Sequence, residues 1–260
     1  MREIRLGRGE LVVAGTAVAW VLAQICYPLT EGAARDRVTV LVVLLATATA
    51  LAHATLTRGV RYAAGFLVIV SGLGLLAEIL GTATGFPFGC YDYAVDRIGP
   101  ALAGVPLVVP LAWTGGVYPV WIVAGLLVRR PAARIGLTAL GAVGWDLFLD
   151  PQMVAAGQWL WCDADAGLPG LEQIPLTNYA GWFGVGLLMA GVLTVWERWS
   201  GPPRRASVAV PVAVFLWTWL GSALAHAVFL DLPASAAYGA VGMGLLGIPL
   251  LGWLARSPRG

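Results

Sequence analysis

The chain has 260 residues, 59% of them hydrophobic and 12% charged, with a mean hydropathy of +0.80. Soluble domains carry roughly 25% charged residues, so an ordinary water-soluble fold is excluded. The net charge of +2 is too small to suggest a nucleic-acid partner, and three cysteines without a CxxC pair plus two histidines leave no zinc constellation.

Apolar runs of roughly 20 residues read as membrane spans. In chain order they cover residues 11–29, 38–56, 62–81, 101–128, 132–149, 180–196, 207–229 and 236–254. The expected fold is an all-α, polytopic membrane helix bundle with eight transmembrane helices, forming a single integral-membrane domain whose functional core is residues 78–183. Arg2, Arg5 and Arg8 ahead of the first run resemble a signal peptide, but no small-residue cleavage site follows, so an uncleaved span is expected. The fourth run carries Pro106, Pro110, Pro119 and Gly115-Gly116. It predicts a broken or kinked helix with part of the run outside the hydrocarbon, or seven spans if that part is re-entrant.

Every basic residue is arginine. With eight spans and a cytoplasmic N-terminus, only Arg35, Arg37 and Arg97 fall on the outer side, and the other thirteen fall inside. So lopsided a split predicts cytoplasmic termini in a multi-pass protein of the cell membrane. The acids run the other way. Asp92 and Asp96 fall in the third loop, Asp163, Asp165 and Glu172 in the fifth, and Asp231 in the seventh. Glu78, Asp146 and Asp150 lie near the outer ends of spans three and five. Acidic outer loops are unremarkable, but carboxylates inside spans are costly and mark function.

Asp146 and Asp150 sit in Gly144-Trp145-Asp146-Leu147-Phe148-Leu149-Asp150-Pro151, four residues apart and so on one helical face. A turn-forming role competes for Asp150, which precedes a proline, and a helix-packing hydrogen bond competes for Asp146. A weak repeat adds to this. Pro106 precedes Trp113 by the same seven positions that separate Pro175 from Trp182, and Glu78 precedes Pro106 by nearly the distance from Asp146 to Pro175. Spans three–four and five–six are expected to be parallel repeats about an axis along the membrane normal, with carboxylates on opposite walls of one cavity.

Two outer loops are rich in aromatics and turn formers: Gly85 to Gly99-Pro100, and Gln158 to Asn178-Tyr179. Trp159 and Trp161 fit an interfacial aromatic belt as well as a pocket. Cys90 and Cys162 fall one in each loop, as a disulfide or as two independent thiols. His226 reads as a helix–helix hydrogen-bond partner.

The blocks Gly85–Trp113 (GFPFGCYDY to GVPLVVPLAW) and Trp145–Phe183 (WDLFLDP to NYAGWF) together resemble the membrane-bound carotenoid-biosynthesis hydratases. That family includes the carotenoid 1′,2′-hydratases and bisanhydrobacterioruberin hydratase. The resemblance covers about 100 residues in the middle of the chain; the first two and last two spans add only hydropathy. Gln173-Ile174-Pro175 departs from the expected small-Val-Pro pattern. The resemblance implies addition of water across the terminal double bond of an acyclic carotenoid end, giving a tertiary alcohol. Its partners are then a carotenoid substrate and the lipid bilayer, with other enzymes of the same pathway as further candidates.

Such a hydration needs no nicotinamide, flavin or metal. It needs a carboxylic acid still protonated near neutral pH, a state that burial or a second carboxylate favours. Asp146 and Asp150 are the candidate acid pair, with Glu78 and Asp92 to position water. Tyr91, Tyr93, Trp113, Trp145 and Trp182 are candidate π faces for the tertiary cation, and Asn178 a candidate water ligand. A transporter and a non-catalytic carotenoid-binding scaffold are the competing readings. Against transport, no chain of ionisable residues crosses the midplane.

Overall fold

A computed structural model describes residues 7–162, 167–202, 204 and 206–256. Arg2, Arg5, Asp163, Asp165, Arg205 and Arg259 lie outside the described residues. The described chain forms eight helical segments long and apolar enough to cross a membrane, and the protein is a multi-pass membrane protein. The helices are α1 (Arg8–Cys26), α2 (Gly32–Arg58), α3 (Val60–Thr84), α4 (Val108–Leu127), α5 (Pro131–Ala155), α6 (Leu176–Trp199), α7 (Ala209–Leu216), α8 (Ser222–Val228) and α9 (Pro233–Arg256). A π-helical turn, Trp217–Gly221, joins α7 to α8 into the seventh span. The seventh apolar run gave no sign of that interruption.

The fourth run is not one kinked helix. Ala101–Leu102 (β2) and Val105–Pro106 (β3) form a short antiparallel hairpin, and α4 then begins at Val108. Pro119 lies inside α4 without ending it.

Four helices make the centre. α3 packs on α4, α4 on α5, α5 on α6, and α6 back on α3, closing a ring. The strand after α3, β1 (Tyr91–Tyr93), pairs antiparallel with the strand after α5, β4 (Trp159–Trp161), in the register Tyr91↔Trp161, Asp92↔Leu160 and Tyr93↔Trp159. Cys90 and Cys162 form a disulfide beside that pairing. α1 and α2 flank one side of the ring, and α9 packs against α5.

The fifth span runs past Pro151 to Ala155. Proline lacks an N–H, so the Leu147 carbonyl one turn back loses its helical donor. The Ser235 hydroxyl of α9 replaces that donor at 2.7 Å. The helix therefore continues, and Asp150 stays helical instead of forming a turn. Ser235 is also hydrogen-bonded to His226, whose other ring nitrogen meets Gln152. His226 is thus the helix–helix partner expected. His53 has a similar role, joined to the Tyr118 hydroxyl and the Ser207 carbonyl.

Candidate active site

α5 turns Asp146 and Asp150 inward on one face, each only 1% exposed. Asn178, in the first turn of α6, spans the pair with a single side-chain amide. Its nitrogen donates to Asp146 Oδ2 at 2.8 Å and to Asp150 Oδ2 at 2.9 Å, using both amide hydrogens. The other oxygen of Asp150 accepts from the indole N–H groups of Trp159 and Trp161. Asp146 Oδ1 differs: it is buried and has no hydrogen-bond partner among the described residues. A buried polar atom left unsatisfied costs about 1–3 kcal/mol.

Glu78 faces the same space from α3. Its Oε2 accepts from the Tyr91 and Tyr93 hydroxyls at 2.5 and 2.8 Å, and its Oε1 from the Trp113 indole at 3.0 Å. Burial, and then the Glu78 carboxylate beside them, hold both phenols well above their ordinary range. They remain protonated donors throughout the physiological range. Gly81 makes room for this arrangement, since a Cβ there would stand 2.6 Å from the Tyr91 hydroxyl.

The aromatic residues pack on one another. Trp113 and Trp182 stack with ring centroids 3.8 Å apart, and Trp145 meets Trp182 edge-on at 5.6 Å. Strand alternation sends Tyr91, Tyr93, Trp159 and Trp161 inward and their neighbours outward. Asp92 is one of those neighbours. It is exposed on the outer face of β1 and does not line the cavity, so its expected place in the site is corrected by strand parity. Glu78, Tyr91, Tyr93, Trp113, Trp145, Asp146, Asp150, Asn178 and Trp182 all border one cavity of about 160 Å³.

That cavity reaches beyond residues 78–183. Trp20, Gln24 and Tyr27 of the first span, and Gln152 of α5, complete its wall. A larger space of about 690 Å³ adjoins it, sharing Gln24, Tyr27, Val42, Gln152 and Ser222. Exposed Leu29, Leu220, Leu224 and Phe229 border this outer chamber. Arg97, the lone arginine of its loop, grips Asp36 with two N–H groups at 2.7 and 3.1 Å and donates to the Ala156 and Gly157 carbonyls. It pins the aromatic loops to α2. Among the described residues, no group of three His, Cys, Asp or Glu side chains is placed to hold a metal ion.

The model of the family described as "Carotenoid biosynthesis protein" matches residues 38–246, most of the chain. The chain belongs to the carotenoid biosynthesis protein family. A curated relative, bisanhydrobacterioruberin hydratase of Haloarcula japonica, is 34% identical over 125 residues. That match covers 43% of this chain and 41% of the relative, less than half of either. No solved structure matches. Family membership and the hydratase relative support an enzyme with a carotenoid-modifying role.

Proposed function

We propose that this carotenoid biosynthesis protein is a cofactor-independent hydro-lyase, adding water across the terminal double bond of an acyclic carotenoid end to give a tertiary alcohol. The observation that carries this reading is the buried Oδ1 of Asp146, which has no hydrogen-bond partner among the described residues, while every other carboxylate oxygen of the residues bordering this aromatic-walled cavity has a donor. Donor counting separates the roles. Both oxygens of Asp150 and of Glu78 are already taken by N–H and O–H donors. Asp146 has one oxygen left to carry a proton and present it to carbon.

In the proposed reaction Asp146 Oδ1–H gives its proton to the CH carbon of the terminal alkene. The positive charge develops on the neighbouring carbon that bears two methyl groups. The faces of Trp113, Trp145 and Trp182 stabilise it, each by about 0.5–2 kcal/mol. Water attacks the cation and loses a proton to the Asp146–Asp150 pair, which restores the acid. The substrate and water supply every atom of the product.

Size supports end-on binding. A cavity of about 160 Å³ holds a branched chain end but not a whole polyene, while the adjoining 690 Å³ chamber, bordered by exposed apolar side chains, suits the long apolar body. By the positive-inside rule the arginine-rich end, which includes Arg8, Arg58, Arg130 and Arg198, faces the cytoplasm. The site then lies toward the opposite face of the cell membrane, where the Cys90–Cys162 disulfide suits an oxidising compartment.

Expression in a bacterium that makes acyclic carotenoids tests this reading. The expected result is a new pigment heavier by one water, with a tertiary hydroxyl at a chain end. Unchanged pigment in the presence of folded, membrane-inserted protein would favour a transporter or a binding scaffold.

A further inference from the structure

The Asp146 oxygen is not the only unpartnered polar atom on the cavity wall. Trp20 and Tyr27 are 4% and 5% exposed, and both line the cavity. The Trp20 indole N–H and the Tyr27 hydroxyl have no hydrogen-bond partner among the described residues. The Gln152 side chain lies close enough to the Tyr27 hydroxyl to interact with it. Trp20 and Tyr27 are seven residues apart, two helical turns, so one face of the first span supplies both. Between them Gln24 is already engaged, its Oε1 accepting from the Trp217 indole at 2.6 Å. That bond ties the first span to the π-helical turn and fixes this wall of the cavity.

Buried polar atoms in folded proteins are satisfied by protein or by ordered water. Three buried polar atoms without a partner among the described residues belong to residues that border this one small cavity. The cavity is large enough to hold water. A hydrocarbon chain end supplies no acceptor for an indole N–H or a phenol O–H, whereas water does. Trp20 and Tyr27 also precede the family match, which starts at residue 38. This wall is thus a feature of this chain outside the matched region.

We propose that Trp20 and Tyr27 hold the attacking water in the cavity that Asp146 also faces, and so decide what becomes of the cation. This inference rests on the hydratase reading and deepens it. The cation has two exits. Water can bond to the tertiary carbon and release a proton to the carboxylate pair, giving the alcohol. Alternatively, a neighbouring C–H can return a proton to Asp146 and regenerate the alkene. Proton transfer to carbon needs only Asp146; capture of the cation needs a held water. Loss of the water ligands therefore changes the partition between exits rather than the first step.

Heavy water makes the partition visible. In D2O, Asp146 delivers deuterium, so return to alkene leaves deuterium in recovered substrate while capture leaves it in alcohol. The variants are Tyr27→Phe and Trp20→Phe, assayed as membrane-inserted full-length protein on an acyclic carotenoid. Trp20→Phe removes no hydrogen bond among the described residues and Tyr27→Phe removes only the contact with Gln152, so a purely structural role predicts an unchanged partition. The proposal predicts that the ratio of alcohol to deuterated alkene falls by about tenfold in each variant, the scale of one ordinary hydrogen bond, with total deuterium incorporation maintained. An unchanged ratio overturns the proposal. So does a parallel fall of alcohol and deuterated alkene, which would place these residues in the proton-transfer step. If the wild-type chain gives no alcohol, the hydratase reading itself fails, a result distinct from either.

Discussion

The two ends of the α5–α6 helix pair each bury carboxylate, on opposite terms. At the arginine-rich end Glu197 accepts from Arg134 at 2.7 Å, from the Trp121 indole and the Tyr62 hydroxyl, and lies 3.5 Å from Arg58. At the other end Asp146, Asp150 and Glu78 share a cavity with tryptophans, tyrosines and an asparagine; among the described residues no arginine lines it. A buried acid matched by a cation is a finished ion pair, with nothing left over for a ligand. A buried acid matched only by neutral donors keeps the option of holding a proton, and at Asp146 one oxygen is still open. On the proposed reading the first cluster is scaffold and the second is chemistry, although Glu197 on α6 and the two aspartates on α5 belong to one packed helix pair.

The comparison can be broken by substitution. The largest expected effect is on turnover. Asp146→Asn keeps an acceptor for Asn178 and the shape of the side chain, so the protein should fold. Loss of a general acid costs about 10²–10⁴-fold, so alcohol formation measured against membrane-inserted protein should fall by about that factor. Next in size is an effect on stability. Arg134→Met leaves Glu197 without its main cation and should destabilise the bundle by about 3 kcal/mol, the scale for breaking a buried ion pair. Thermal unfolding in detergent reads this, and turnover per folded molecule should stay near wild type. The smallest effect is at Asp92. Asp92→Asn, on the exposed face of β1, should change stability by less than about 0.5 kcal/mol and leave product yield alone. A large loss of turnover there would mean that the strand pair turns its other face to the substrate.

The number of spans and the core acids were legible because the membrane enforces simple rules. Long apolar runs must be helices, and Glu78, Asp146 and Asp150 stand out because charge is rare there. The four-residue spacing put both aspartates on one face, and the matched Pro-to-Trp intervals marked Trp113 and Trp182, which the fold stacks together. What escaped depended on partners far away in sequence. Asp150 before Pro151 also read as a turn former, because the hydroxyl that repairs the helix belongs to Ser235 on another span. Asp92 and Tyr93 were indistinguishable until strand register gave them opposite faces. Trp20, Gln24 and Tyr27 looked like ordinary span residues, since a cavity wall leaves no mark on hydropathy. Glu197, flanked by Trp196 and Arg198, gave no hint that Arg134 and Arg58 converge on it.

Alcohol formed per folded molecule, compared between the wild-type chain and Asp146→Asn on the same acyclic carotenoid, tests the central claim most directly. The account predicts a tertiary alcohol from the wild type and almost none from the variant, at equal amounts of folded protein in the membrane. Equal yields from the two would contradict it, since the open oxygen of Asp146 would then have no part in moving a proton to carbon.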